Sequence, residues 1–192
     1  MALVLEQINV EGLAQLSYIV GDDKAGVAAV IDPRRDIDVY LQRARELGVR
    51  IIASVETHIH ADFVSGSHEL KARMNVPIYG GKSDDYQFEL HQMEEGDELK
   101  IGSVTLRAVH TPGHTPEHIS LLIYDAKQGK EPFGLFTGDT LFNLDVGRPD
   151  LLGGGTEQRL AAQLYRSLFD KILPLGDRIE IYPCHGAGSS CG

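Results

Sequence analysis

The chain has 192 residues, with 42% hydrophobic and 24% charged, proportions of a folded protein rather than a disordered or coiled-coil one. That length suits one domain, residues 1–192, whose core buries roughly 70% of the unfolded surface. A net charge of −10 with no offsetting basic stretch argues against nucleic acid and anionic membranes as partners. The two cysteines, Cys184 and Cys191, match no zinc spacing and read as reduced, structural residues. No signal peptide is evident, and no apolar run approaches the roughly 20 residues of a membrane helix. The expected location is cytoplasmic.

In chain order, Leu3 to Val10, Gln15 to Val20 and Val27 to Ile31 predict three short β-branched strands separated by polar turns, the last closed by Pro33. A helix follows, with Asp36 as N-cap, Ile37, Tyr40, Leu41, Ala44 and Leu47 at helical spacing, and Gly48 past its end. Val49 to Val55 reads as a buried strand. Leu70 and Met74 then lie one turn apart on a short helix ending before Pro77. Four more strands are expected at Glu98 to Ile101, Val104 to Val109, Ile119 to Tyr124 and Phe133 to Phe136. A glycine-rich loop, Gly147 to Gly155, leads to an amphipathic helix with Thr156 as N-cap and Leu160, Leu164, Leu168 and Ile172 as its apolar stripe. Pro174 stops it. Ile179 to Tyr182 predicts a final strand before a loop-like ending, Gly186 to Gly192, which suggests truncation of a longer chain. Strands followed by a helix, twice over, indicate an α/β class of sheets with helices outside.

Metal-type ligands recur where these strands end: His58, His60 and Asp62 after one, His110, His114 and His118 after another, then Asp139, then His185. Residues two apart point the same way along extended chain, so His58, His60 and Asp62 are expected to face one side. One such cluster is weak evidence of a site. Four that can converge on one sheet rim are specific, and Gly113 and Gly138 permit the close turns required. His68 and His91, without such companions, read as ordinary surface residues.

Residues 57–62, Thr-His-Ile-His-Ala-Asp, are similar to the His-x-His-x-Asp-His signature of the metallo-β-lactamase superfamily. Thr111-Pro112-Gly113-His114-Thr115 resembles its second histidine motif, Phe136-Thr137-Gly138-Asp139 its bridging aspartate, and Tyr182-Pro183-Cys184-His185-Gly186 its last histidine motif. The resemblance implies a four-layer αββα sandwich with a metal site at one edge of the sheets. It departs at Phe63, where two-metal members carry a histidine. A phenyl ring donates no lone pair, so a second metal loses a ligand. His58, His114 and Asp139 remain as a 2-His-1-carboxylate set, an arrangement that leaves positions open and suits non-haem iron. Two-metal hydrolysis instead needs both cations.

The pattern is most similar to the persulfide dioxygenases, in the branch where a dioxygenase domain is fused to rhodanese domains. Residues 60–66, His-Ala-Asp-Phe-Val-Ser-Gly, and the ending at residues 185–192 carry that likeness. It implies one Fe(II) on His58, His114 and Asp139, with Zn(II) able to substitute. It also implies oxidation of a thiol persulfide, glutathione persulfide-like, by O₂ to sulfite and free thiol. His60, Asp62 and His185 are then expected around the metal, either as groups that orient ligands and hydrogen-bond reacting oxygen or as a structural network. Arg148 is the candidate partner for a substrate carboxylate, with an Arg148–Asp150 ion pair as the alternative. Tyr182 is a candidate hydrogen-bond donor to the site or a packed ring. A rhodanese partner, fused or separate, and a homo-oligomer are both compatible with the sequence. The competing function is a zinc-dependent glutathione thioester hydrolase of the hydroxyacylglutathione type. A third is a fold retained only for assembly.

Overall fold

The computed structural model describes residues 3–10, 12, 14–186, 189 and 191; of the ending, Ala187, Gly188, Ser190 and Gly192 lie outside the described residues. Strands β1 (Leu3–Val10), β2 (Gln15–Asp22), β3 (Val27–Ile31), β4 (Arg50–Glu56), β5 (Ile78–Gly81) and β6 (His91–Met93) form one sheet in that order. β7 (Glu98–Ile101), β8 (Val104–His110), β9 (Ile119–Asp125), β10 (Gly134–Gly138) and β11 (Glu180–Pro183) form the other, ordered β11-β10-β9-β8-β7.

Side-chain alternation along the strands builds the layers. Tyr18, Val20, Ala29, Ile31, Ala53 and Val55 of the first sheet meet Ile101, Leu106, Ile119, Leu121, Ile123 and Phe136 of the second in one buried cluster. Their sequence neighbours Ile19, Ala28, Val30 and Ile51 point the other way, onto Ile37, Tyr40 and Ala44 by α1 (Asp38–Leu47) and Leu70 of α2 (Ser67–Met74). Leu122 and Leu135 turn outward to Ile172 and Leu168, the continuation of α3 (Glu157–Arg166). The result is the αββα sandwich. No helix is long and apolar enough to cross a membrane.

Three local expectations are corrected. α1 begins at Asp38 with Ile37 at the N-cap position, and Asp36 instead accepts a bond from the Asp38 amide at 3.3 Å. The apolar stripe of α3 continues beyond Arg166 through a π-helical turn, Ser167–Ile172, before Pro174 falls in a short 3₁₀ turn. β5 and β6, not predicted, are short, and their glycines and polar residues hide any alternation. Gly48 does close α1 in the left-handed conformation (φ 70°), its amide reaching the carbonyls of Ala44 and Arg45.

Candidate metal centre

β3, β4, β8, β10 and β11 all deliver polar residues from their C-terminal ends to one rim, where loops cross between the sheets. The Ile119 amide bonds the Thr57 carbonyl at 2.8 Å, and the Cys184 amide bonds the Gly138 carbonyl at 3.0 Å. Gly138 turns the chain at φ 51°, and a Cβ there would stand 2.4 Å from His118 Nε2. Gly113 (φ 149°) packs against α3, with its Cβ position 2.4 Å from that of Leu164. Both glycines thus meet the close approaches expected of them.

The chain leaves extended geometry after Glu56, so His58, His60 and Asp62 do not share a side. Their three side chains go to three places. His58 meets His114 and Asp139: Asp139 Oδ2 lies 3.6 Å from His58 Nε2 and 3.4 Å from His114 Nε2. One donor atom from each of the three lies within 4.8 Å of the others, and all three residues are buried. His60 Nε2 turns to carboxylates, Glu56 at 3.0 Å and Asp32 at 3.2 Å, while its ring packs against Phe63 at a tilt of 35° with centroids 4.3 Å apart. Asp62 Oδ2 receives His185 Nε2 at 2.8 Å, and His185 Nδ1 reaches Asp139 Oδ1 at 2.8 Å.

The hydrogen bonds fix the tautomers. Thr57 Oγ1 donates to Asp32 Oδ2 at 2.8 Å, so at 2.9 Å it accepts from His58 Nδ1–H. His114 Nδ1–H donates to the carbonyl of Arg148 at 3.0 Å. Both Nε2 atoms therefore carry lone pairs. Burial holds His58 well below the ordinary histidine pKa, with the neighbouring imidazoles adding to it. Burial also lowers His114, against the opposing pull of Asp139. Asp139 Oδ2 is buried and has no hydrogen-bond partner among the described residues. Two imidazole lone pairs and an unpartnered carboxylate oxygen, with no proton between them, form a hole that a cation satisfies. The donor set fits one first-row divalent metal.

Around this trio the remaining groups act on position. His118, fully buried, accepts the Asp139 amide on Nε2 at 2.9 Å, and its Nδ1–H faces Thr111 and Thr140. It fixes the backbone that carries Asp139 and stacks on His58 at 5.1 Å. His110 lies off the centre, with Nε2 on the Pro116 carbonyl at 2.9 Å. His185, held between two carboxylates, has its pKa raised to about 9: burial opposes the charge, and the bonds to Asp139 and Asp62 outweigh it. Burial likewise opposes a charge on His60, yet Asp32 and Glu56 raise its pKa well above normal. His60 Nδ1 is buried without a partner among the described residues. Both cysteines pack against these groups. Cys184 Sγ lies within 4.8 Å of donor atoms of Asp32 and His60, and Cys191 Sγ within 4.8 Å of those of Asp62 and His185. Burial pushes the Cys191 thiol up to about 12 and the Cys184 thiol well above normal.

Arg148 and Tyr182 behave differently from the substrate roles considered for them. The Arg148 guanidinium is engaged bidentately by Asp150 at 2.7 and 2.9 Å, and only its carbonyl reaches the centre, through His114. The Tyr182 hydroxyl donates to Glu180 at 2.5 Å at the surface, while its ring packs 5.8 Å from Tyr18 and 5.6 Å from Phe136. Sequence reasoning missed Asp32 and Glu117. Asp32 sits at φ 48° and binds the Thr57 amide at 2.7 Å; Glu117 binds the Ile59 amide at 2.8 Å. Asp32 gave a partial signal, a carboxylate at a strand end, but its left-handed φ departs from the extended backbone that a following proline favours.

Beside His58 and His60 opens a cleft of about 290 Å³, walled by Phe63, Val64, Tyr86 and Phe88.

The sequence matches the family model described as "Metallo-beta-lactamase superfamily" over residues 10–185. The hydroxyacylglutathione hydrolase GloC of Haemophilus influenzae is 31% identical over 209 residues, covering 98% of this chain and 93% of that protein. The mitochondrial persulfide dioxygenase ETHE1 of Homo sapiens is 31% identical over 189 residues, covering 95% of this chain and 68% of that protein. A crystal structure of a metallo-beta-lactamase from Staphylococcus aureus superposes with a TM-score of 0.93 at 41% identity, covering 99% of this chain. This chain spans 58% of that one.

Proposed function

The chain belongs to the metallo-β-lactamase superfamily, and from that premise we propose that it is a mononuclear Fe(II) persulfide dioxygenase. The reaction is RSSH + O₂ + H₂O → RSH + SO₃²⁻ + 2 H⁺, in which the terminal sulfur gives four electrons to O₂. One observation carries the choice. Phe63 stands where a second metal needs nitrogen, and the other two donors of such a site, Asp62 and His185, are bound to each other. His58 Nε2, His114 Nε2 and Asp139 Oδ2 form the set of two imidazoles and one carboxylate that would hold the iron.

Iron held there supplies the one-electron chemistry by which O₂ reacts with a closed-shell sulfur. The chain's own residues supply position. Thr57 and the Arg148 carbonyl keep the imidazole lone pairs aimed inward. His185, steadied by Asp62, restrains Asp139 through Oδ1 and leaves Oδ2 for the metal. Phe63 against His60 gives an apolar wall that limits water beside the site. The terminal sulfur and O₂ then meet in fixed orientation, which is the main catalytic gain. The persulfide fits supply by a rhodanese-type sulfurtransferase, fused or separate.

The second reading, a zinc thioester hydrolase, draws on the GloC relative, of which the chain covers 93%. A side-by-side assay separates the two. Protein loaded anaerobically with Fe(II) is given a thiol persulfide while O₂ uptake is followed, and zinc-loaded protein is given a glutathione thioester. The proposal expects O₂ uptake and negligible thioester cleavage. Cleavage without O₂ uptake replaces it with the hydrolase.

A further inference from the structure

Resting on the persulfide reading, we propose that Glu56 and Asp32 are positioning residues that draw His60 away from the iron and so keep its cleft-facing side open to the substrate. His60 is the histidine that the ligand set leaves out. One donor atom each of His58, His114 and Asp139 lies within 4.8 Å of the others, whereas His60 groups instead with Asp32 and Cys184. Its ring nevertheless lies only 4.2 Å from that of His58, centroid to centroid, and 4.3 Å from that of Phe63. Its Nδ1 is buried and has no hydrogen-bond partner among the described residues. A buried imidazole with one nitrogen free, beside a ligand histidine, becomes a third ligand unless something restrains it.

The restraint is a pair of anchored carboxylates. The His60 Nε2–H is shared by Glu56 Oε2 at 3.0 Å and Asp32 Oδ1 at 3.2 Å. Both acids are buried, and each is fixed from another direction. Glu56, at the end of β4, has Oε1 taken by the hydroxyls of Ser65 and Ser67, and Ser67 is itself bonded to Ser54 at 2.7 Å. Asp32, just after β3, accepts the Thr57 amide at 2.7 Å and the Thr57 hydroxyl at 2.8 Å. Neither carboxylate can follow the ring toward the metal. A move of His60 would leave two buried acids without their shared donor, which opposes it. The cleft shows where this matters. His58 and His60 line it, whereas His114 and Asp139 do not. A persulfide lying in the cleft therefore meets the centre on the His60 side, where a third imidazole would stand in its way. The pull of the two acids leaves that side to the substrate.

The test counts imidazoles. Fe(II)-loaded protein is treated anaerobically with nitric oxide, and pulsed EPR of the complex reports how many histidine nitrogens bind the iron. The parent should show two, and so should His60→Ala, with its iron retained. Glu56→Gln removes one negative acceptor and keeps the shape, so a third imidazole should join. Nitric oxide affinity should then fall about tenfold, the loss expected when His60 closes roughly 90% of the sites, and the persulfide KM should rise with it. Adding His60→Ala to that variant should restore two imidazoles and the parent affinity, a rescue that a merely structural role of Glu56 would not give. If Glu56→Gln does not fold, Asp32→Asn carries the same expectation through the other acceptor. Three imidazoles in the parent, or a carboxylate variant with unchanged imidazole count and nitric oxide affinity, overturn the proposal. Absence of O₂ uptake with a persulfide removes the dioxygenase reading instead, and the imidazole count still decides the role of Glu56 and Asp32.

Discussion

His58, His114 and Asp139 each reach the centre with their other hydrogen-bonding atom committed, to Thr57, the Arg148 carbonyl and His185 respectively. Removing one donor therefore leaves the others aimed but too few. Asp139→Ala should abolish iron retention in metal analysis while the far-ultraviolet spectrum is kept; full occupancy in that variant would refute the ligand set. Phe63→His replaces the blocking ring with nitrogen. It should let Asp62 and His185 part and raise bound metal above one per chain, whereas unchanged stoichiometry would mean that Phe63 is not what limits the count. Gly138→Ala forces a side chain into the left-handed region and onto His118, so a loss of about 2–3 kcal/mol in chemical denaturation is expected, together with weakened metal binding. The strand-end position of His58, His114 and Asp139 was legible because each follows an apolar run, whereas their selection from the wider set of histidines and carboxylates came from the family resemblance. Asp32, Glu117 and His118 were not legible in their roles. They act on backbone amides 25, 58 and 21 residues away, and no local pattern encodes such contacts.

Strand alternation carried most of the element-level reading, since β1, β3 and β7 keep their expected bounds and Ile19 and Val20 point to opposite cores. It failed where period gave no signal, in the four-residue β5 and three-residue β6 and in the π turn after α3. The extended reading of residues 57–63 failed for a different reason: side chains of Asp32 and Glu117 bend that segment away from the strand. One carboxylate also ties the two sheets. Asp22, at the end of β2, accepts the amides of Lys24 at 2.8 Å and of Ser103, between β7 and β8, at 2.8 Å. The bonds from Ser103 hold its pKa far below the ordinary aspartate value. A carboxyl depressed in the folded state adds stability that is fully present above its unfolded pKa of about 3.9 and is lost as pH falls through the folded value. Thermal midpoints below pH 4 should accordingly fall less steeply for Asp22→Asn than for the parent, from a lower starting stability at pH 7. Parallel curves for the two proteins would show that Asp22 does not govern the acid limb.

Across the molecule, two sheets packed face to face put five strand ends on one rim, so residues from 32 to 185 meet in a space set by the sandwich rather than by any single loop. That convergence could be expected from the order of motifs, whereas the mutual bond of Asp62 and His185 needed the folded chain. The central claim is a single iron that couples persulfide to O₂. Its most direct test is anaerobic reconstitution with Fe(II), metal counting, and simultaneous measurement of O₂ consumed and sulfite formed from a thiol persulfide. The account predicts one iron per chain and one sulfite per O₂. Two metals per chain, or sulfite production indifferent to O₂, would contradict it.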